Sequence, residues 1–311
     1  MKEWKNRDVI SAKDFSKKEF LFLFDVAKKF KQNKLKANVG KTVTLLFFEP
    51  STRTYNSFRM AAHKIGCFTD GFASAQTTSV VKGESTFDTL KMFTGYGTDC
   101  FVIRHPKAGI HRYLAERFDV PIINAGDDSH EHPTQAMLDV FTIWENFGKI
   151  DGLKIGIMGD LRYGRTPSSL SYVLSNWKVK LYFIAPELLQ IEKRLDNMEF
   201  FLQKKGVDYE KISNYKDVLN ELDVLYVTRI QKERFPDLTE YEKVKGSYVI
   251  TSKDLKGVKK HFIVMHPLPR VNEIDTSVDN TPHAKYFEQA KNGLYVRMAL
   301  LYLILGGSDE K

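Results

Sequence analysis

Apolar positions along the chain switch between short β-branched runs and stripes at helical spacing. Phe20, Leu21, Phe24, Ala27 and Phe30 make such a stripe within residues 16–32, which predicts a helix covering the first strand. Thr42 to Phe48 is a β-branched and aromatic run, predicted as a buried strand. Phe58, Ala61, Ala62 and Ile65 then form one apolar helical face. Gly71 to Glu84 is polar and rich in serine and threonine, and predicts a long loop of a kind that is often functional. Beyond it the pattern predicts a helix over Phe87 to Phe93, a strand over Asp99 to Ile103, a helix over Tyr113 to Phe118 and a strand over Val120 to Asn124. Strands that alternate with helices and end in polar residues predict a parallel sheet whose ligands gather at the strands' carboxyl ends.

A helix over Thr134 to Phe147 leads to a second βα series, with strands predicted at Leu153 to Met158, Lys180 to Ile184, Val224 to Thr228 and Phe262 to Met265. The charged stretch from Lys232 to Lys245, with Pro236, predicts a mobile loop. Leu294 to Leu305 is apolar almost all round apart from Arg297, so it predicts a buried helix. The expected fold is α/β with two domains, each a parallel sheet flanked by helices, and the active site in the cleft between them. The expected domains are residues 1–134, with 291–311 packing back on them, and residues 135–290.

Composition narrows the function. The chain has 311 residues, 42% of them hydrophobic, enough for two cores of ordinary size. Its net charge of +8 points to nucleic acid, an acidic protein or anionic small substrates. Lys28, Lys29, Lys31, Lys34, Lys36 and Lys41 cluster without interleaved aromatics, which fits a solvated helix face and no nucleic-acid partner. The longest apolar run, Met298 to Leu305, is too short to cross a bilayer, and Met1 to Lys5 has no apolar signal core. Cys67 and Cys100 form no CxxC pair. A cytoplasmic protein without membrane contact is expected.

The chemistry concentrates at turns. Ser51-Thr52-Arg53-Thr54 lies between the first strand and the following helix, with Ser51 a natural N-cap. Free first-turn amides, three hydroxyls and one guanidinium suit a phosphate-like anion. Arg104 ends a later strand, and His132 opens the helix beginning at Thr134. His132 could instead cap that helix or, with His130, Asp127 and Asp128, ligate a metal, although His-x-His alone does not make a metal site. Gly159 to Thr166 follows a strand, but its glycines are wrongly spaced for GxGxxG and no acidic residue ends the next strand. It puts Arg165 at a helix N-terminus instead. Thr228-Arg229-Ile230-Gln231 and His266-Pro267-Leu268-Pro269-Arg270 end two further strands, and arginines repeated at such ends point to anion recognition.

These motifs, with Phe48-Glu49-Pro50 before Ser51 and His105-Pro106 after Arg104, resemble in order the aspartate/ornithine carbamoyltransferase family. The likeness is greatest to the catalytic chain of aspartate carbamoyltransferase. The resemblance implies transfer of a carbamoyl group from carbamoyl phosphate to L-aspartate, in pyrimidine synthesis, without cofactor or metal. It implies that Ser51, Thr52, Arg53, Thr54 and Arg104 hold the phosphate, with Arg53, Thr54, Arg104 and His132 catalytic. Gln135 and the Pro267 carbonyl would take the carbamoyl amino group. Lys82, Arg165, Arg229, Gln231 and Leu268 would take aspartate. Ser79 and Lys82 would enter from the neighbouring chain of a homotrimer, to which separate regulatory chains could add. Glu49 would pair with Arg165 and Arg234 on closure. Ornithine carbamoyltransferases, the nearest rival, carry His-Cys-Leu-Pro where this chain has Pro267, and use acidic residues for the diamine. A non-catalytic anion-binding protein is the rival from another class.

Overall fold

The computed structural model describes residues 4–194 and 196–307. It divides into two compact units, Met1–Met137 with Asn292–Lys311, and Leu138–Lys291. In the first, Ser16 opens helix α1 (Lys17–Lys31) with a reciprocal cap, its hydroxyl accepting from the Glu19 amide while the Glu19 carboxylate accepts from its own. Phe20, Phe24, Ala27 and Phe30 of the α1 stripe are buried together with Leu23, while Leu21 is only half-buried; each phenylalanine contributes roughly 1.5–3 kcal/mol. The chain continues through β1 (Thr42–Phe47), α2 (Thr52–Lys64), β2 (Phe68–Phe72), α3 (Thr86–Gly95), β3 (Cys100–His105), α4 (Ile110–Ala115), β4 (Ile122–Asp127) and α5 (Pro133–Phe147). Among the described residues the strands form a parallel sheet in the order β2-β1-β3-β4.

Two details depart from the sequence reading. Part of the expected long loop is β2, an edge strand whose burial is only partial, so it carries no apolar run; two 3-10 turns, Ala75–Thr77 and Ser79–Lys82, follow it. Helix α4 begins at Ile110, three residues before the expected start, after a left-handed Gly109 (φ 75).

The second unit runs through β5 (Lys154–Met158), α6 (Arg165–Leu174), β6 (Lys180–Ile184), α7 (Met198–Lys204), β7 (Asp208–Ile212), β8 (Val224–Val227), α8 (Leu238–Val244) and β9 (Ile263–Met265). These strands are also parallel, in the order β7-β6-β5-β8-β9. The edge strand β7 was again absent from the sequence expectation, because its exposed residues carry no apolar pattern. The stretch expected as a mobile loop contains a 3-10 turn, Lys232–Arg234, and α8.

The last helix, α9 (Tyr286–Ile304), starts earlier than its apolar part. From Asn292 onward it packs within the first unit. Asn292 Oδ1 accepts from Lys31 Nζ at 2.9 Å, and the Tyr302 ring meets Phe30 edge-on at 5.6 Å. Buried Arg297 donates to Ser57 Oγ at 2.9 Å and lies over the Phe58 ring at 4.9 Å, which accounts for a cation in an apolar helix.

Each sheet reverses its strand order once, between β1 and β3 in the first and between β5 and β8 in the second. Crevices at such reversals, outside the carboxyl ends of the strands, are where α/β sheets bind ligands.

Candidate functional site

In the first unit, β1 and β3 leave the sheet side by side. Phe47 is in register with Arg104, and the Phe48 amide donates to the Arg104 carbonyl at 2.8 Å. Extended Ser51 caps α2, its hydroxyl accepting from the Thr54 amide at 3.4 Å. The remaining first-turn amides face a helix N-terminus with its partial positive charge. Thr52 and Arg53 are exposed, whereas Thr54 is buried. The Thr54 hydroxyl lies 3.5 Å from Nε2 of buried His132, and His132 Nδ1 lies 3.5 Å from the Thr134 hydroxyl. These contacts sit at the outer limit of hydrogen bonding. Arg104 is ion-paired through Nε to Glu49 Oε2 at 2.9 Å. The half-buried Gln135 follows on the first turn of α5, its amide bonded to the His132 carbonyl at 3.0 Å.

Ser79 and Lys82 are exposed on their 3-10 turn, so their own chain does not bury them at the anion turn. His105 ties that region to β3. Its Nδ1 accepts from the Lys107 amide at 3.0 Å, so Nε2 keeps the proton and donates to the Thr86 hydroxyl at 3.0 Å. Burial holds its pKa down at about 4. His130, weighed as a metal ligand, is bonded to Asp127 at 2.9 Å, and among the described residues no His, Cys, Asp and Glu group suits a metal ion.

In the second unit, Gly159 leaves β5 at φ +118, where a Cβ would stand 2.1 Å from the Thr228 carbonyl oxygen. Only glycine allows the β5 and β8 exits to approach so closely. Arg165 is buried at the start of α6, at a helix N-terminus. Arg229 is half-buried and paired with Glu233, whose hydrogen bonds and charge raise the guanidinium pKa. Gln231 Oε1 accepts from Arg234 Nε at 3.1 Å. Pro267 and Leu268 follow β9, half-buried, with Leu268 in the left-handed region at φ 53. Such backbone in a non-glycine residue costs on the order of 1–3 kcal/mol and clusters at functional sites.

Residues that the sequence reading did not single out hold these segments. Buried Asp160 accepts from the amides of Tyr163 at 2.8 Å and Gln231 at 3.2 Å, bridging the loops that carry Arg165 and Arg229. Burial raises its pKa against the pull of those amides and of Arg194 and Arg234. Arg194 donates to the carbonyls of Leu161 and Gly164, both at 2.7 Å, and fixes the loop leading into Arg165. In the first unit, buried Glu131 accepts from Ser11 Oγ at 2.6 Å and the Ala12 amide at 2.8 Å, anchoring the residue before His132. Asp160 lies in the Gly159–Thr166 turn noted in the sequence, but most partners of these side chains lie far off in the chain.

Residues 7–145 match the family described as aspartate/ornithine carbamoyltransferase, carbamoyl-P binding domain. Residues 151–304 match the same family's Asp/Orn binding domain. The chain is similar to the aspartate carbamoyltransferase catalytic subunit of Pyrobaculum islandicum, with 51% identity over 97% of this chain and 99% of that one. It is equally similar to that of Thermococcus onnurineus, 51% identical over 98% of each. Among solved structures it resembles the catalytic subunit of M. jannaschii aspartate transcarbamoylase, with TM-score 0.85, 46% identity and coverage of 95% of this chain and 96% of that one. The Trypanosoma cruzi aspartate transcarbamoylase in complex with carbamoyl phosphate and aspartate gives TM-score 0.90 at 34% identity, over 97% and 98% of the chains.

Proposed function

We propose, from the premise that this chain belongs to the aspartate/ornithine carbamoyltransferase family, that it carries the carbamoyl group of carbamoyl phosphate to L-aspartate. The products are N-carbamoyl-L-aspartate and phosphate, in an early step of pyrimidine synthesis. The observation that carries the reading is the buried Thr54–His132 pair at 3.5 Å beside the capped anion turn.

In this reading the Ser51–Thr54 amides and hydroxyls, Arg53 and Arg104 take the phosphate as charge-assisted partners. The aspartate amine attacks the carbamoyl carbon, and negative charge develops on the carbamoyl oxygen. Thr54, Arg104 and His132 stabilise it as aimed donors. A neutral imidazole suffices, accepting from Thr134 at Nδ1 and donating from Nε2. The carbon–oxygen bond to phosphate then breaks, and the departing phosphate takes the amine proton. Gln135 and the Pro267 carbonyl orient the carbamoyl amino group. Arg165, Arg229 and Gln231, with Leu268 backbone, take the two carboxylates of aspartate; ornithine, a diamine, finds no acidic counterpart among them. Much of the rate then comes from positioning two anionic substrates. The reaction needs no cofactor.

Ser79 and Lys82 complete the phosphate and aspartate sites from a neighbouring chain, which makes the working form a homotrimer with shared sites. Their exposure supports that role. Separate regulatory chains are compatible with it. The reading is cytoplasmic, and among the described residues no helix is long and apolar enough to cross a membrane. Phosphate release from carbamoyl phosphate, measured with aspartate or ornithine added, tests the assignment. Release with aspartate alone is expected; release with ornithine alone would overturn it.

A further inference from the structure

Asp139, on α5, is wholly shielded from solvent. Its Oδ2 accepts from the Tyr226 hydroxyl at 2.7 Å and its Oδ1 from Gln289 Nε2 at 2.6 Å. Tyr226 is equally enclosed, and its oxygen is also hydrogen-bonded to Thr166. On the other branch, Gln289 Oε1 accepts from the His266 amide at 2.8 Å. His266 Nδ1 accepts from the Leu268 amide at 2.8 Å, so its Nε2 donates to Glu273 Oε1 at 2.7 Å. Glu273 in turn accepts from the amides of Val271 and Asn272, both at 3.1 Å.

These partners are the roots of the segments assigned to substrate. Thr166 follows Arg165, Tyr226 lies on β8 just ahead of Arg229, and His266 precedes Pro267 and Leu268. A buried carboxylate is costly unless its oxygens are satisfied, and a fully satisfied network specifies one arrangement. We propose that Asp139 is a positioning residue that fixes Arg165, Arg229 and the Pro267–Leu268 turn relative to one another. It acts through Tyr226 and Thr166 on one side and Gln289 and His266 on the other. The proposal rests on the aspartate-site reading above. Gln289 sets its direction: the His266 amide occupies its oxygen, so its amide nitrogen must find an acceptor, and only a carboxylate accepts from both Tyr226 and Gln289 without turning a donor toward either.

Asp139→Asn keeps the shape but presents one donor to this pair. Adding Gln289→Glu reverses the pair, the introduced amide donating to the introduced carboxylate, whose other oxygen still accepts from the His266 amide. In Asp139→Asn the aspartate KM should rise about tenfold or more, while carbamoyl phosphate Kd, which draws only on the Pro267 carbonyl of these segments, should change by no more than about threefold. Backbone amide exchange at residues 164–168, 226–231 and 266–271 should accelerate together. The double variant should recover both. Wild-type KM and exchange in the single variant, or no recovery in the double, would overturn the proposal. Should Asp139→Asn fail to fold, Tyr226→Phe carries the test: raised aspartate KM with faster exchange at 164–168 and 226–231 supports it, and no change in either overturns it. If the wild-type chain carbamoylates no aspartate, the site reading fails, while the exchange pattern still decides the network.

Discussion

Glu49 Oε2 lies 2.9 Å from Arg104 Nε, so a cation assigned to phosphate is already engaged by a carboxylate of its own unit. The pair is partly exposed, and such pairs contribute about 1 kcal/mol or less. In the proposed reading, phosphate and Glu49 compete for this guanidinium. In Glu49→Gln, inorganic phosphate should bind up to about fivefold more tightly by calorimetry. Turnover should fall by on the order of tenfold, because Glu49 is also the closing carboxylate that the family resemblance implies. Weaker phosphate binding, or unaltered turnover, would count against this dual role.

Arg229 carries the specificity prediction. Arg229→Ala should cost about 2–4 kcal/mol of transition-state stabilisation for aspartate, the loss of a charge-assisted carboxylate contact. Carbamoyl phosphate binding, in which Arg229 has no assigned part, should hardly change. Steady-state kinetics beside calorimetry of carbamoyl phosphate separates the two, and equal weakening of both substrates would sink the assignment.

His105 gives a pH dependence with a definite sign. Burial lowers its pKa from 6.5 to about 4, so the folded state resists its protonation. The stability it contributes is whole above pH 6.5 and drains away as pH falls toward 4. Allowing for partial solvent screening, the loss is on the order of 2 kcal/mol. Protonation would also break the bond that Nδ1 accepts from the Lys107 amide. Denaturant unfolding at pH 7 and pH 4.5 should therefore show a larger stability difference in wild type than in His105→Asn. Parallel pH profiles would refute it.

The shared site can be tested by complementation. Lys82→Ala and His132→Ala should each be nearly inactive. Dissociated, mixed equally and reassembled at random into cyclic trimers, they should regain about one quarter of wild-type sites. No regain in mixed trimers confirmed by mass would place both residues in one chain's site.

Much of this was legible in sequence for a physical reason. Buried parallel strands such as β3 and β8 must be apolar, and their polar exits must stand at the carboxyl ends, so the motifs were visible as breaks in a strong pattern. β2 and β7 were not, because edge strands with exposed residues have no such pattern. The first turns of α9 were missed since Glu288, Gln289, Lys291 and Asn292 look like solvent-facing residues, although Gln289 and Asn292 are buried. Asp139 and Arg194, and the partners of Asp160, were illegible for a related cause. Each acts on groups far away in sequence, and only the folded sheet brings those groups to them.

The proposed transfer is to one particular amine, that of aspartate. Carbonyl-labelled carbamoyl phosphate can be given to the purified chain with aspartate and ornithine at equal concentration, and the label followed by carbon NMR. All label leaving carbamoyl phosphate enzymatically should appear in N-carbamoyl-L-aspartate, one phosphate released for each. Label in carbamoyl-ornithine, or only in bicarbonate, would contradict the account.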